Sequence, residues 1–213
     1  MRLLMRRLPK GDGHPVLVLS GFVASDVSTR PLRGVLGDLG YAPYGWGLGR
    51  NLKFNDEREQ AMRALVDRIY IAHGRKLSIV GWSLGGVFAP DLAKRLPEKS
   101  RSVISLGSPI TRHRDYSNAR RLYDAINGPP EQSRAEQLNR LGEAPPTPTT
   151  SVFSKTDGVV AWRGSLQAPD PATRQQRPSR SRRAISGSAS IRWSFVSSPT
   201  GLRRPRAHGS PSA

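Results

Sequence analysis

Gly81-Trp82-Ser83-Leu84-Gly85 sets a serine between two glycines, directly after the apolar run Lys76-Leu77-Ser78-Ile79-Val80. A chain that turns sharply from a strand into a helix leaves almost no room for side chains beside the turn, so the flanking positions must be glycine. The run before the serine reads as a buried strand, and residues 86–96, ended by Pro97, read as a helix. Strand, turn and helix in that order predict that Ser83 is displayed as a nucleophile rather than held in an ordinary glycine-rich turn.

The rest of the chain repeats the same alternation. Pro15-Val16-Leu17-Val18-Leu19 is a short apolar strand running into Ser20-Gly21-Phe22. Ser28-Thr29-Arg30-Pro31 predicts an N-cap followed by a proline in the first helical turn, with the helix closing near Gly40. Residues 41–44 suit a second strand. Beyond a glycine-rich loop around Trp46 and Gly49, Asn55-Asp56-Glu57 caps a helix whose Met62, Leu65, Val66 and Ile69 recur at helical spacing up to Gly74. Two further strands are expected at Ser102–Leu106, ending in Gly107-Ser108-Pro109, and at Thr149–Ser154, ending in Lys155-Thr156-Asp157-Gly158. Such alternation predicts an α/β chain: a parallel sheet with helices on both faces, its functional groups gathered beyond the carboxyl ends of the strands. The polar segment 112–148 is expected to be a cap over that end.

Composition divides the 213 residues in two. Residues 1–165 hold 25 Lys and Arg against 15 Asp and Glu, whereas residues 166–213 hold nine Arg, one Asp, ten Ser and six Pro, with no Lys or Glu. The first part is expected to be the folded domain and the second a disordered basic tail. There is no cysteine, which excludes disulfides and thiolate metal sites and is compatible with a reducing compartment. The short apolar stretches near the N-terminus do not make a signal peptide, and no run of about 18 apolar residues makes a membrane span. A cytoplasmic protein is expected.

Five features together resemble the α/β-hydrolase family, in particular its small bacterial esterase and lipase-like members, over residues 14–165. They are the strand into Ser20-Gly21-Phe22, the Gly-Trp-Gly-Leu-Gly-Arg loop at 45–50, the Gly-Trp-Ser-Leu-Gly-Gly elbow, the strand end at Gly107-Ser108-Pro109, and the late Asp157. The resemblance implies a triad in the chain order Ser, Asp or Glu, then His, with Ser83 as nucleophile and Asp157 as the acid. It also implies an oxyanion hole made by the backbone amides of Leu84 and Phe22. Asp115 and Asp124 are weaker competitors for the acid role. No metal or organic cofactor is implied, and the expected partner is a small-molecule ester.

The resemblance assigns no catalytic histidine. His14 precedes the first strand, His73 ends a helix, His113 lies in the expected cap, and only His208 follows Asp157, within the tail. The abrupt change of composition at residue 166 is what a GC-rich gene read out of frame would produce. Joining the third base of each codon to the first two of the next permits His-Leu-Gly-Leu-Gly-Phe-Asn-Pro-Leu-Val-Leu from Ala184 onward, which resembles the family's histidine loop. On this reading the last helix and the histidine loop are missing from the chain.

Three function classes follow: an ester hydrolase working through an acyl-enzyme, an impaired hydrolase that keeps only ligand binding, and a polyanion binder acting through the tail arginines. Apart from Trp193 and Phe195 those arginines are not interleaved with aromatics, so no specific nucleic-acid partner is expected. Arg112, Arg114, Arg120 and Arg121 read as a solvated face rather than a site for an acidic substrate. Acyl and alcohol groups, the choice between ester, amide and thioester, and the oligomeric state are not legible in the sequence.

Overall fold

The computed structural model describes residues 9–52, 55–110, 144–154, 160, 162–165 and 191–196. Six strands form one sheet in the order β2-β1-β3-β4-β5-β6. They are β1 (Pro15–Leu19), β2 (Ala42–Gly45), β3 (Leu77–Trp82), β4 (Ser100–Leu106), β5 (Thr149–Ser154) and β6 (Ile191–Val196). The first five are mutually parallel, as the alternation of strands and helices predicts. Among the described residues the helices are α1 (Asp26–Asp38), α2 (Asp56–His73) and α3 (Gly85–Arg95), with a short 3₁₀ turn at Trp162–Ser165.

Period-two alternation in β1 divides the core. Leu17 and Leu19 pack with Leu77, Ile79 and Val103 against Met62, Val66 and Ile69 of α2 and Phe88 and Leu92 of α3. Val16, Val18 and Val80 face the other way, against Leu32 and Leu36 of α1. Buried on both faces, the central strands read as continuous apolar runs, which is the pattern of a parallel sheet sandwiched by helices. Helix α2 has the ends its sequence advertises: the Asn55 side chain accepts from the Arg58 amide at 3.0 Å, and Gly74 closes the helix in the left-handed region.

Two expectations need correction. Helix α1 starts at Asp26 behind Ser25, so Pro31 lies well inside it rather than in its first turn. The start is fixed from outside the helix, because the Asp26 carboxylate accepts the backbone N–H groups of Trp46 (2.9 Å) and Gly47 (2.8 Å). The carbonyl that Pro31 leaves unpaired belongs to Val27, an exposed residue that water reaches. The second correction concerns the tail: residues 191–196, expected to be disordered, form an antiparallel strand along β5, with Thr149 opposite Val196 and Ser154 opposite Ile191. Ile-Arg-Trp-Ser-Phe-Val is rich in β-branched and aromatic residues, and the edge of β5 offers it a ladder. The remainder of the tail and residues 111–143, which include most of the expected cap, lie outside the described residues. Among the described residues no helix is long and apolar enough to cross a membrane.

Candidate active site

Ser83 is the first of the two turn residues, Ser83 and Leu84, between the exposed Trp82 at the end of β3 and Gly85 at the start of α3. Its φ is 51°, a left-handed conformation that costs an ordinary residue about 1–2 kcal/mol. The turn is held from both sides: the Ser83 amide donates to the Leu106 carbonyl at the end of β4 (2.9 Å), and the Ser83 carbonyl accepts from the Gly86 amide (3.0 Å). Glycine is required around it for lack of space. A Cβ on Gly81 would strike the backbone of Gly85 and Gly86, and one on Gly86 would strike the Ser108 side chain. One on Gly85 would lie 2.5 Å from the Leu19 carbonyl oxygen. Ser83 itself is half-buried. No hydrogen-bond partner of its hydroxyl is found among the described residues.

The turn after β1 lies against this elbow. A Cβ on Gly21 would sit 3.3 Å from the Ser83 Cβ and 3.4 Å from the Trp82 carbonyl oxygen, so the two turns lie within a methyl group's thickness of each other at Gly21. The half-buried Phe22 follows it, and Val23 has φ 54°, a rare conformation for a β-branched residue that costs about 1–3 kcal/mol. Three hydrogen bonds from Asn51 hold this turn: Val23 N to Asn51 O, Asn51 N to Ala24 O, and Asn51 Nδ2 to Ser20 O, each 2.8 Å. The Gly45–Asn51 loop that carries Asn51 is anchored in its turn by Asp26 and by Trp46, whose Nε1 donates to the Gly49 carbonyl at 3.0 Å. Gly45 lets the carboxylate approach, since any Cβ there would collide with it. Sequence reading singled out Ser83, Leu84 and Phe22 but not Asn51, Asp26 or Val23. Nothing local marks those three, because their partners lie 20 or more positions away.

Asp157 lies outside the described residues, three positions past Ser154, the last residue of β5. Asp115, Asp124, His113 and His208 also lie outside them. The two described histidines are remote from Ser83. His73, at the end of α2, pairs with the Tyr44 hydroxyl at 2.7 Å. His14 is buried at the opposite end of the sheet, where its Nδ1 meets the Asp12 carboxylate and its Nε2 the Ser78 hydroxyl at 2.9 Å. Asp12, His14 and Ser78 thus form a relay of the catalytic type whose histidine and serine are buried. Ser78 is buried within β3, tied on to the Ser102 hydroxyl at 2.8 Å, and about 16 Å of strand separates it from Ser83. The relay is a strap across β1, β3 and β4. His14 and, next, Arg101 hold the Asp12 carboxyl well below the ordinary carboxylate range. Among the described residues no cluster of His, Asp or Glu could hold a metal ion.

Apolar surface surrounds the elbow. Trp82 is 44% exposed, Val23 48% and Leu52 39%, and all three belong to segments that meet at Ser83 or at the turn beside it.

Solved structures with a similar chain path include a monoacylglycerol lipase of Paleococcus ferrophilus, with a TM-score of 0.50 at 15% identity over 74% of this chain and 79% of that one. The mature lipase BlEst2 of Bacillus licheniformis gives 0.43 at 20% identity, over 62% of this chain and 53% of its own. A structure from a study of the metagenome-derived lipolytic enzymes LipS and LipT gives 0.43 at 18% identity, over 58% and 51%. The chain spans about half the length of the latter two. At these identities the likeness is one of fold. No family model and no curated protein matches the sequence.

Proposed function

We propose, from the α/β-hydrolase fold that this chain has, that it is a serine hydrolase acting on carboxylic esters through an acyl-enzyme. The single observation that carries the reading is Ser83 at φ 51° between β3 and α3, with the turn after β1 packed against it. A strained serine at the carboxyl end of a central parallel strand has a chemical use there, since the turn holds its hydroxyl clear of the backbone.

In the proposed reaction the Ser83 Oγ attacks the ester carbonyl carbon as a base removes its proton. The carbonyl oxygen becomes an oxyanion, accepted by the backbone N–H groups of Leu84 and Phe22. Collapse expels the alcohol, which takes the proton, and leaves the acyl group on Ser83. Water then attacks the acyl carbon in the same way and releases the acid. Asp157 is the acid that orients the base and compensates its charge. The base is assigned to neither His14 nor His73, which are held elsewhere by Ser78 and Tyr44. The exposed Trp82, Val23 and Leu52 suit an apolar acyl chain.

A fluorophosphonate probe tests the reading, because its phosphorus is attacked by an activated serine and its phosphoryl oxygen takes the oxyanion position. Labelling is expected on the wild-type chain and absent from Ser83→Ala. A folded wild-type chain that resists the probe, or a Ser83→Ala chain that labels equally, refutes it.

A further inference from the structure

The Asn51 amide is fully buried, and only one orientation of it fits. Its Nδ2 lies 2.8 Å from the Ser20 carbonyl, which can only accept, so the nitrogen must face Ser20 and the Oδ1 is left buried without a partner among the described residues. The unpaired oxygen carries a desolvation cost, and the asparagine nitrogen supplies the donor that the buried Ser20 carbonyl would otherwise lack. The unfavourable φ of Val23 lies in the same short turn, and the Val23 amide donates to the Asn51 carbonyl. Two unfavourable features are therefore concentrated in one clamp. The clamp holds both ends of the turn between Ser20 and Ala24, and a methyl group added at Gly21 within that turn would touch Ser83.

We infer that Asn51 is a positioning residue: it locks the 20–24 turn so that the Phe22 amide faces the oxyanion, without itself touching substrate. The inference rests on the reading of Ser83 as nucleophile. It explains why the Gly45–Asn51 loop is so firmly tied, with Asp26 and the buried Trp46 at one end and the turn at the other. Rigidity in the loop is transmitted to the turn through the three hydrogen bonds of Asn51.

The test compares Asn51→Leu and Asn51→Asp with wild type in the rate of fluorophosphonate labelling. Leucine has the same number of side-chain heavy atoms as asparagine and cannot donate to Ser20, and aspartate matches asparagine in size and donates only when it is protonated. The expected result is a fall in kinact of about 10- to 100-fold, short of the 100- to 1000-fold typical of deleting an oxyanion donor outright, with KI changed less than about twofold. A merely structural asparagine would lower the melting temperature and leave kinact of the folded fraction alone. Variants that fold and keep kinact within about twofold of wild type overturn the inference. Should neither variant fold, amide exchange on the wild-type chain decides: Val23 and Asn51 amides must exchange as slowly as those of β1, and exchange at free-loop rates overturns the clamp. Failure is assignable. A wild-type chain that does not label removes the Ser83 reading and this inference with it, whereas a labelled wild type with unaffected variants removes this inference alone.

Discussion

Replacing Gly85 with alanine is the most demanding perturbation of the elbow, because the added methyl meets backbone on every near side. Its Cβ would lie 2.5 Å from the Leu19 carbonyl oxygen and 2.7 Å from both the Leu19 carbonyl carbon and the Ser20 carbonyl oxygen. Non-bonded heavy atoms settle at about 3.5 Å, so β1 and the start of α3 must part by about 1 Å. No side-chain rotation relieves this, since Leu19 is fully buried in the central part of the sheet. Overpacking of this kind costs about 1–3 kcal/mol, and at this chain size each kcal/mol lowers the melting temperature by about 2–4 °C. The expected fall is therefore about 2–12 °C. The same displacement separates Leu84 from the 20–24 turn, and about 1 Å of misplacement costs on the order of 100-fold in rate. Thermal melts and fluorophosphonate labelling rates measure both effects. Gly34→Ala is the control: Gly34 sits inside α1 with open space around its Cβ position, so alanine there should stabilise by about 0.5–1 kcal/mol and leave labelling alone. A Gly85→Ala chain that melts within a degree of wild type and labels within about twofold of it would refute the packing account of the elbow.

The conformation of Ser83 makes its two simplest replacements differ in stability. Both Ser83→Ala and Ser83→Gly abolish labelling, but glycine accepts φ 51° freely, so the glycine variant should be the more stable by about 1 kcal/mol; equal melting curves would count against strain at the elbow. His14→Ala should destabilise by about 1–3 kcal/mol by removing the Asp12–Ser78 strap, yet leave the labelling rate within about twofold of wild type. A large loss of labelling in the folded variant would place His14 in the chemistry after all. Asp12 titrates lower in the folded chain than its ordinary value of 3.8. Its stabilising effect is present above that value and lost as pH falls through and below it. Asp12→Asn should lower the melting temperature at pH 7 and converge on wild type in strong acid; a difference constant from pH 7 to pH 2 contradicts the assignment.

Much of this architecture is legible in the residues. β1 follows from an uninterrupted apolar run bounded by turn residues, β5 from Thr149, Thr150, Val152 and Phe153 around Ser151, and α2 from Asn55, Gly74 and four apolar residues at helical spacing. The elbow is legible because its steric demand falls on adjacent residues. What was missed depends on distant partners. The start of α1 is decided by Asp26 meeting amides of the 45–47 loop, which outweighs the local cap signal at Ser28. Asn51 carries no local pattern at all, and its meaning comes from Ser20, 31 positions earlier. In β6 a strand-forming hexapeptide is embedded in a Ser, Arg and Pro background that dominates any composition window, and only the open edge of β5 reveals it. Asp12, His14 and Ser78 make the opposite point, since a catalytic-looking relay proves on burial to be a strap.

The central claim is that Ser83 is the nucleophile. Its most direct test is mass-spectrometric mapping of the adduct after the folded chain is treated with a fluorophosphonate. The account predicts one phosphonylated residue, Ser83, and no adduct in Ser83→Ala. An unmodified Ser83 peptide, or an adduct on another serine with Ser83 intact, would contradict it.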